Sequence, residues 1–416
     1  MRAFPGSRAE TAGPVSGDAR DLTDPASWGE ATRLVRGGTQ RSRFGETSEA
    51  LYLNSGFVYP DGETAAARFA GEDDGYVYSR YGNPTVTMLE ERLRLLEGAE
   101  ACFATASGMA AVFASLACQL KAGDRLVASR ALFGSCFQIV ANILPKFGVE
   151  SELVDGKDLD AWRDALTEGT KCVFVETPSN PTLEVVDIAS VCDMAHAVGA
   201  RVVVDNVFAT PILQRALELG ADIVVYSGTK HIDGQGRTLG GAVLSSAAFK
   251  EEELIPFVRH TGPALSPFNA WVLLKGLETL KLRVEHQSRA AQVIAETLQE
   301  LPGVTRVLYP HLASHPQADL CRAQMALGGS VVTFELEGGR ERAFAAMRRL
   351  RLVDISNNLG DAKSLITHPA STTHRNIGEE ERARVGITEG MLRLSVGLEE
   401  PADLILDLTE AVRDSA

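Results

Sequence analysis

The chain has 416 residues, with 41 Lys and Arg against 55 Asp and Glu, and a formal net charge of −14. That acidic balance argues against nucleic acid or an anionic membrane surface as the main partner. A content of 45% hydrophobic and 23% charged residues is that of an ordinary globular chain and excludes wholesale disorder.

Residues 1–30 are rich in Gly, Pro, Asp and Ser and read as a loose tail without the apolar core of a secretory leader. From about 30 to 75 the pattern is irregular, with Gly37-Gly38 and the aromatics Tyr52, Phe57 and Tyr59. This predicts an extended arm that packs on something else. Ala101 to Leu120 is free of charge over the length of a membrane span. It is built mainly from Ala, Ser, Thr and Gly, whose insertion energy is poor, so a globular reading with a helix over 108–120 is preferred.

The middle of the chain alternates. Short apolar runs at 125–129, 172–176, 201–205, 222–226 and 241–244 are separated by helical stretches at 108–120, 134–147, 187–198 and 211–219. Each run is too short for a helix and apolar throughout, as a strand buried on both faces of a parallel sheet must be. The alternation predicts an α/β domain over 76–275 whose ligands bind at the carboxyl ends of the strands. Beyond 275, a polar helix (276–300), strand candidates at 304–308, 330–336 and 392–397, and a final helix at 401–412 predict a smaller C-terminal α+β domain, 276–416.

Candidate chemistry lies where strands end. Asp205 closes one run, and the next leads into Tyr226-Ser-Gly-Thr-Lys-His231. One strand–helix–strand step separates Asp205 from Lys230, so both project into one crevice; a surface salt bridge is the plain alternative. Ser227 and Thr229 offer hydroxyls beside the lysine, and Thr105-Ala-Ser-Gly-Met109 opens a helix whose free N–H groups suit an anion. A lysine, an acid and two phosphate-friendly turns are what pyridoxal phosphate requires: an amine to condense with its aldehyde, a carboxylate for its ring nitrogen, and donors for its phosphate.

With these residues in view, the sequence resembles the Cys/Met-metabolism pyridoxal-phosphate enzymes. The likeness rests on Tyr78-Ser-Arg-Tyr-Gly-Asn-Pro84, Glu176-Thr-Pro-Ser-Asn-Pro181, Val204-Asp-Asn206, Ser227-Gly-Thr-Lys230, His368-Pro-Ala370 and Leu392-Arg-Leu-Ser-Val-Gly-Leu-Glu399, in order along nearly the whole chain. The resemblance implies fold type I of the pyridoxal-phosphate transferases, with a large mostly parallel-sheet domain and a smaller C-terminal one. It implies that Lys230 carries the cofactor and moves protons, and that Asp205 partners the ring nitrogen. Gly108, Met109, Ser227 and Thr229 then bind the phosphate, Asn180 lies by the ring oxygen, and Arg393 clamps the substrate carboxylate. Tyr78 and Arg80 reach the cofactor of a neighbouring copy, which implies a homo-oligomer with shared active sites, usually a tetramer.

Two positions depart from the family pattern. Phe133, in Leu132-Phe-Gly-Ser-Cys136, stands where a stacking Tyr is usual; it can stack but has no hydroxyl. Asn358 takes the place of a Ser beside the carboxylate site. The strings His231-Ile-Asp-Gly-Gln-Gly-Arg237 and Phe133-Gly-Ser-Cys136 are similar to the branch of the family that joins O-succinylhomoserine and sulfide into homocysteine for methionine synthesis. O-acetylhomoserine sulfhydrylase, cystathionine γ-synthase and cystathionine or methionine γ-lyase are the alternatives. Arg237 and Arg43 are candidates for the extra succinyl carboxylate.

Other features have plain readings. Six cysteines without a C-x-x-C pair predict buried thiols in a reducing cytoplasm. His311 and His315 fall in a proline-flanked loop, so no metal site is expected there. Gly234-Gln-Gly236 lacks the third glycine of a dinucleotide fingerprint. His231 has a packing role as readily as a tuning one.

Overall fold

The computed structural model describes residues 21–415. The apolar runs of the middle region become strands of one seven-stranded sheet: β1 (Ala101–Thr105), β2 (Arg125–Ser129), β3 (Glu150–Val154), β4 (Thr170–Glu176), β5 (Arg201–Asp205), β6 (Ile223–Ser227) and β7 (Gly241–Ser245). Their order is β1-β7-β6-β5-β4-β2-β3. All point the same way except β7, which is antiparallel to both neighbours. Side chains alternate between two cores: Val202 and Val204 of β5 join one hydrophobic cluster and Val203 joins the other. β4 divides in the same way, with Val173 and Val175 on one face and Cys172 and Phe174 on the other. With both faces covered, neither set of positions can be polar, hence the unbroken apolar runs.

The uncharged stretch from Ala101 resolves into β1, a turn, and a helix Gly108–Ala117, shorter than the predicted 108–120. Ser107 caps that helix, its hydroxyl accepting the N–H of Ala110 at 3.2 Å. No helix among the described residues is long and apolar enough to cross a membrane.

Several expected elements differ. The stretch 134–147 is broken into an α-turn (Gly134–Gln138), a π-helical turn (Ile139–Ile143) and a 3-10 turn with Pro145 (Leu144–Phe147); the proline lacks the N–H that a continuous α-helix would need. The helix expected over 211–219 stops at Leu213. β1 and β3 were not anticipated. β3 is an edge strand, with Glu150 and Glu152 exposed, so it lacks the apolar signature of the central strands. In the arm, the residues before 75 include helices Glu30–Arg36 and Gly62–Ala70; residues 1–20 of the predicted tail lie outside those described.

The C-terminal sheet has five strands: β8 (Val304–Leu308), β9 (Val331–Leu336), β10 (Asp354–Ile355), β11 (Leu365–Thr367) and β12 (Met391–Ser395), in the order β10-β11-β12-β9-β8. The predicted helix 276–300 is found as Leu280–Gln299, and a separate helix, Pro267–Leu277, ends just before it. The second packs, with the final helix Pro401–Arg413, against this smaller sheet. Thr333 of β9 donates to the Pro181 carbonyl at 2.6 Å, and His231 meets Ser330 at 2.7 Å. These contacts seat the small sheet over the carboxyl edge of the large one.

Candidate active site

Three adjacent parallel strands bring their ends to one place. β4 ends in Glu176, β5 in Asp205 and β6 in Ser227, and the register sets Glu176 directly opposite Asp205. Lys230 follows β6 by one turn. Across from them β1 delivers the amino end of the helix Gly108–Ala117. The result is a cavity of about 240 Å³ lined by Gly108, Met109, Phe133, Asn180, Asp205, Ser227, Thr229, Lys230 and Arg393, among others. Nine of the residues expected from the sequence are thus brought together.

Arg393 arrives from β12 and is 1% exposed. Its Nη1 donates to Asn180 Oδ1 at 2.9 Å, and its Nη2 to the carbonyls of Asn357 and Asn358 at 2.9 and 3.1 Å. Its Nε is buried with no hydrogen-bond partner among the described residues, an open donor on a residue that lines the cavity. Lys230 Nζ donates to Asn358 Oδ1 at 2.6 Å. Asn358 therefore holds the lysine with its side chain and the arginine with its backbone.

The electrostatics follow from burial. Lys230 is lowered to about 8, first by desolvation and then by the Arg393 charge. Asp205 is raised to about 7 by burial, against the N–H of Val207 that its carboxylate accepts. Glu176 is pushed well above the carboxylate range by burial and by Asp205, although the N–H groups of Phe133 and Asn180 and the Arg393 charge oppose this. Two buried like charges cannot both ionise freely, so the pair retains a proton until a cation arrives. A cationic ring nitrogen beside Asp205 would supply that charge. The Cys136 thiol lies within 4.8 Å of both carboxylates and is pushed up by burial, which keeps it neutral.

The cavity fits pyridoxal phosphate on local evidence. A Cβ at Gly108 would lie 2.5 Å from Ser227 Cβ and 2.8 Å from its Oγ, so glycine keeps the space beside that hydroxyl open at the helix N-terminus. Tyr226 also lines the cavity, but its hydroxyl donates to Glu97 Oε2 at 2.6 Å and accepts from Asn206. Phe133 therefore has no tyrosine hydroxyl standing in for the one it lacks among the described lining residues.

Other expected residues lie elsewhere. Tyr78 and Arg80 line a separate surface depression with Leu53 and Ser266, and Arg80 stacks over Tyr78 and Tyr81 at 5.4 and 4.7 Å. Arg237 is tied to Asp233, with Nε donating to Oδ1 at 2.9 Å, and Arg43 stacks over Phe44 at 4.9 Å. Neither arginine lines the cavity, which corrects the suggestion that they receive a succinyl carboxylate within this chain. His231 is buried, lowered to about 3 by desolvation first and then by Arg283, and is bonded to Ser330, a packing role. His315 contacts the Leu183 carbonyl at 3.1 Å. Sequence reasoning gave Glu176 no role; its signal was available as the acid closing the strand next to that of Asp205.

The Cys/Met metabolism PLP-dependent enzyme pattern matches residues 31–413. The O-succinylhomoserine sulfhydrylase of Mycobacterium tuberculosis is 59% identical over 392 residues, 93% of this chain and 97% of that one. The L-methionine gamma-lyase of Porphyromonas gingivalis is 44% identical over 382 residues, 91% and 96% of the two chains. A solved structure of a putative O-acetylhomoserine (thiol)-lyase from Campylobacter jejuni, carrying a pyridoxyl-lysine monophosphate, superposes with a TM-score of 0.89 at 32% identity, covering 93% of this chain and all of that one. With nearly its full length matched, the chain belongs to the Cys/Met metabolism PLP-dependent enzymes.

Proposed function

We propose that this enzyme carries out γ-replacement on O-succinylhomoserine, with sulfide as nucleophile, to give homocysteine and succinate. The observation that carries the reading is that Lys230 and Arg393 line one cavity and are joined by Asn358, which hydrogen-bonds to both without itself lining it, within a chain 59% identical to an O-succinylhomoserine sulfhydrylase. In this reading Lys230 binds the cofactor aldehyde and Asp205 its ring nitrogen. Phe133 would offer a face to the ring and Asn180 a partner for its oxygen, and Gly108, Met109, Ser227 and Thr229 would hold the phosphate. When bound, pyridoxal phosphate supplies an electron sink that acidifies carbon–hydrogen bonds near the substrate amine.

Arg393 takes the α-carboxylate, a bidentate task suited to guanidinium, and its unpartnered Nε faces that duty. Lys230 Nζ, lowered to about 8, takes the proton from Cα and then one from Cβ. The ester C–O bond at Cγ breaks, succinate leaves with the electron pair, hydrosulfide forms the new C–S bond there, and Lys230 returns the two protons to Cβ and Cα. With Phe133 lacking a hydroxyl, Lys230 carries the proton traffic alone. Asn358 holds that amine near its working position.

Tyr78 and Arg80, away from their own chain's cavity, are assigned to the cofactor phosphate of a neighbouring copy, which makes the working unit a homo-oligomer, in our reading a tetramer. The six cysteines are free, as suits a cytoplasmic enzyme. The substrates are small molecules, and neither nucleic acid nor membrane enters the scheme.

A panel of esters and nucleophiles tests the assignment. The succinyl ester with sulfide should turn over fastest. Equal or faster use of the acetyl ester reassigns the acyl group, preference for cysteine points to cystathionine synthesis, and methionine breakdown without an acceptor points to a lyase. Lys230→Ala should abolish turnover while cofactor still binds noncovalently.

A further inference from the structure

Glu176 has no part in the scheme above, yet its side chain is tightly constrained on the cavity floor. It is 5% exposed and lies opposite Asp205 at the sheet edge. Its two oxygens serve two main-chain donors: Oε2 accepts the Phe133 N–H at 2.7 Å and Oε1 accepts the Asn180 N–H at 2.9 Å. Phe133 precedes the short helical turn Gly134–Gln138, and Asn180 lies in the irregular segment after β4. Neither residue is in a strand ladder, so the carboxylate provides an anchor that the sheet does not. Asn180 passes the constraint on, because its Oδ1 accepts from Arg393 Nη1 at 2.9 Å. A carboxyl group in either protonation state can accept from both amides, because a hydroxyl oxygen keeps an acceptor lone pair, whereas a glutamine would turn its own NH2 toward one of them.

We propose that Glu176 is a positioning residue: it sets Phe133 against the cofactor ring and, through Asn180, aims Arg393 at the substrate carboxylate. The inference rests on the functional reading given above. Phe133, Asn180 and Arg393 line one cavity, so movement of Glu176 displaces cofactor platform and substrate clamp together.

Glu176→Gln retains the size of the side chain and removes one acceptor. Two constants decide the matter: the Kd of pyridoxal phosphate for the cofactor-free variant, and the KM of O-succinylhomoserine for the cofactor-saturated one. The expected result is a rise of about ten-fold in each, with kcat changed by less than about three-fold and circular dichroism unaltered. Wild-type values of Kd and KM overturn the proposal, as does a loss confined to kcat. Should the Gln variant not fold, Glu176→Asp retains the charge but is too short to hold both amides. The same rises support the role, and unchanged constants overturn it. An active Lys230→Ala enzyme would sink the functional reading itself. Wild-type constants for the Glu176 variant, in an enzyme that does need Lys230, would sink only this proposal.

Discussion

Asn358 joins Lys230 to Arg393: its Oδ1 accepts from the lysine Nζ at 2.6 Å while its carbonyl accepts from the arginine Nη2 at 3.1 Å. The residue that supplies the proton-moving amine and the one assigned to the substrate thus share a neighbour on the loop before Leu359 and Gly360. Removing the side chain, in Asn358→Ala, leaves the backbone contact to Arg393 and frees the lysine. The expected outcome is a fall in kcat of about ten-fold with a smaller change in KM, the kinetic weight of one hydrogen bond to a charged group. Steady-state kinetics across the substrate range checks this.

The depressed Lys230 pKa makes a pH prediction. Only the neutral amine attacks an aldehyde, so cofactor-free protein should take up pyridoxal phosphate at a rate that rises through about pH 8 and levels above it. In Arg393→Ala the neighbouring charge that helps depress Lys230 is gone, and the midpoint should move up. Stopped-flow absorbance over pH 6–10 reads both. A midpoint that moves down in the variant would contradict the Coulombic assignment.

Arg393→Ala should also separate substrate binding from cofactor binding. The KM should rise by on the order of 100-fold, since a charge-assisted bidentate contact is lost. Cofactor content, measured after alkali release, should stay near that of the wild type.

Asp205 destabilises the cofactor-free protein at neutral pH. Its folded pKa, about 7, lies above the ordinary 3.8, so the penalty is absent below about pH 4, grows between the two values and is complete once pH has risen through 7. Three units correspond to an upper bound of about 4 kcal/mol. Glu176 and the buried Glu97, raised to about 7 chiefly by desolvation, act in the same direction. Cofactor-free Asp205→Asn should therefore melt higher than wild type at pH 8, with the gap narrowing as pH falls and nearly closed at about pH 4, while its catalytic activity is lost. Differential scanning calorimetry at the two pH values decides it.

Gly108→Ala places a methyl 2.5 Å from Ser227 Cβ, and the helix start or the strand end must give way. Cofactor affinity should drop by at least about ten-fold through the lost N–H geometry. The melting temperature of the cofactor-free variant should fall as well, because the methyl meets the Ser227 backbone at 2.9 Å as well as its side chain, and packed structure must shift to admit it.

The central strands were legible in the sequence because a strand covered on both faces must be apolar at every position, and β2, β4, β5, β6 and β7 all carry that mark. β3, exposed at the sheet edge, and the two-residue β10 carry no such mark and were not anticipated. The break between Leu277 and Leu280 was likewise invisible, since the residues around it favour helix on both sides.

For the site, Asp205 and Lys230 could be placed from sequence alone. Parallel strands joined by short helices must end at the same edge, so residues that close successive strands become neighbours whatever else the chain does. What only the tertiary structure decided was the lateral register that sets Glu176 against Asp205, the arrival of Arg393 from a separate sheet, and the capture of the Tyr226 hydroxyl by Glu97. Each depends on a contact between segments far apart in the chain, and local propensity and periodicity hold no information about such distances.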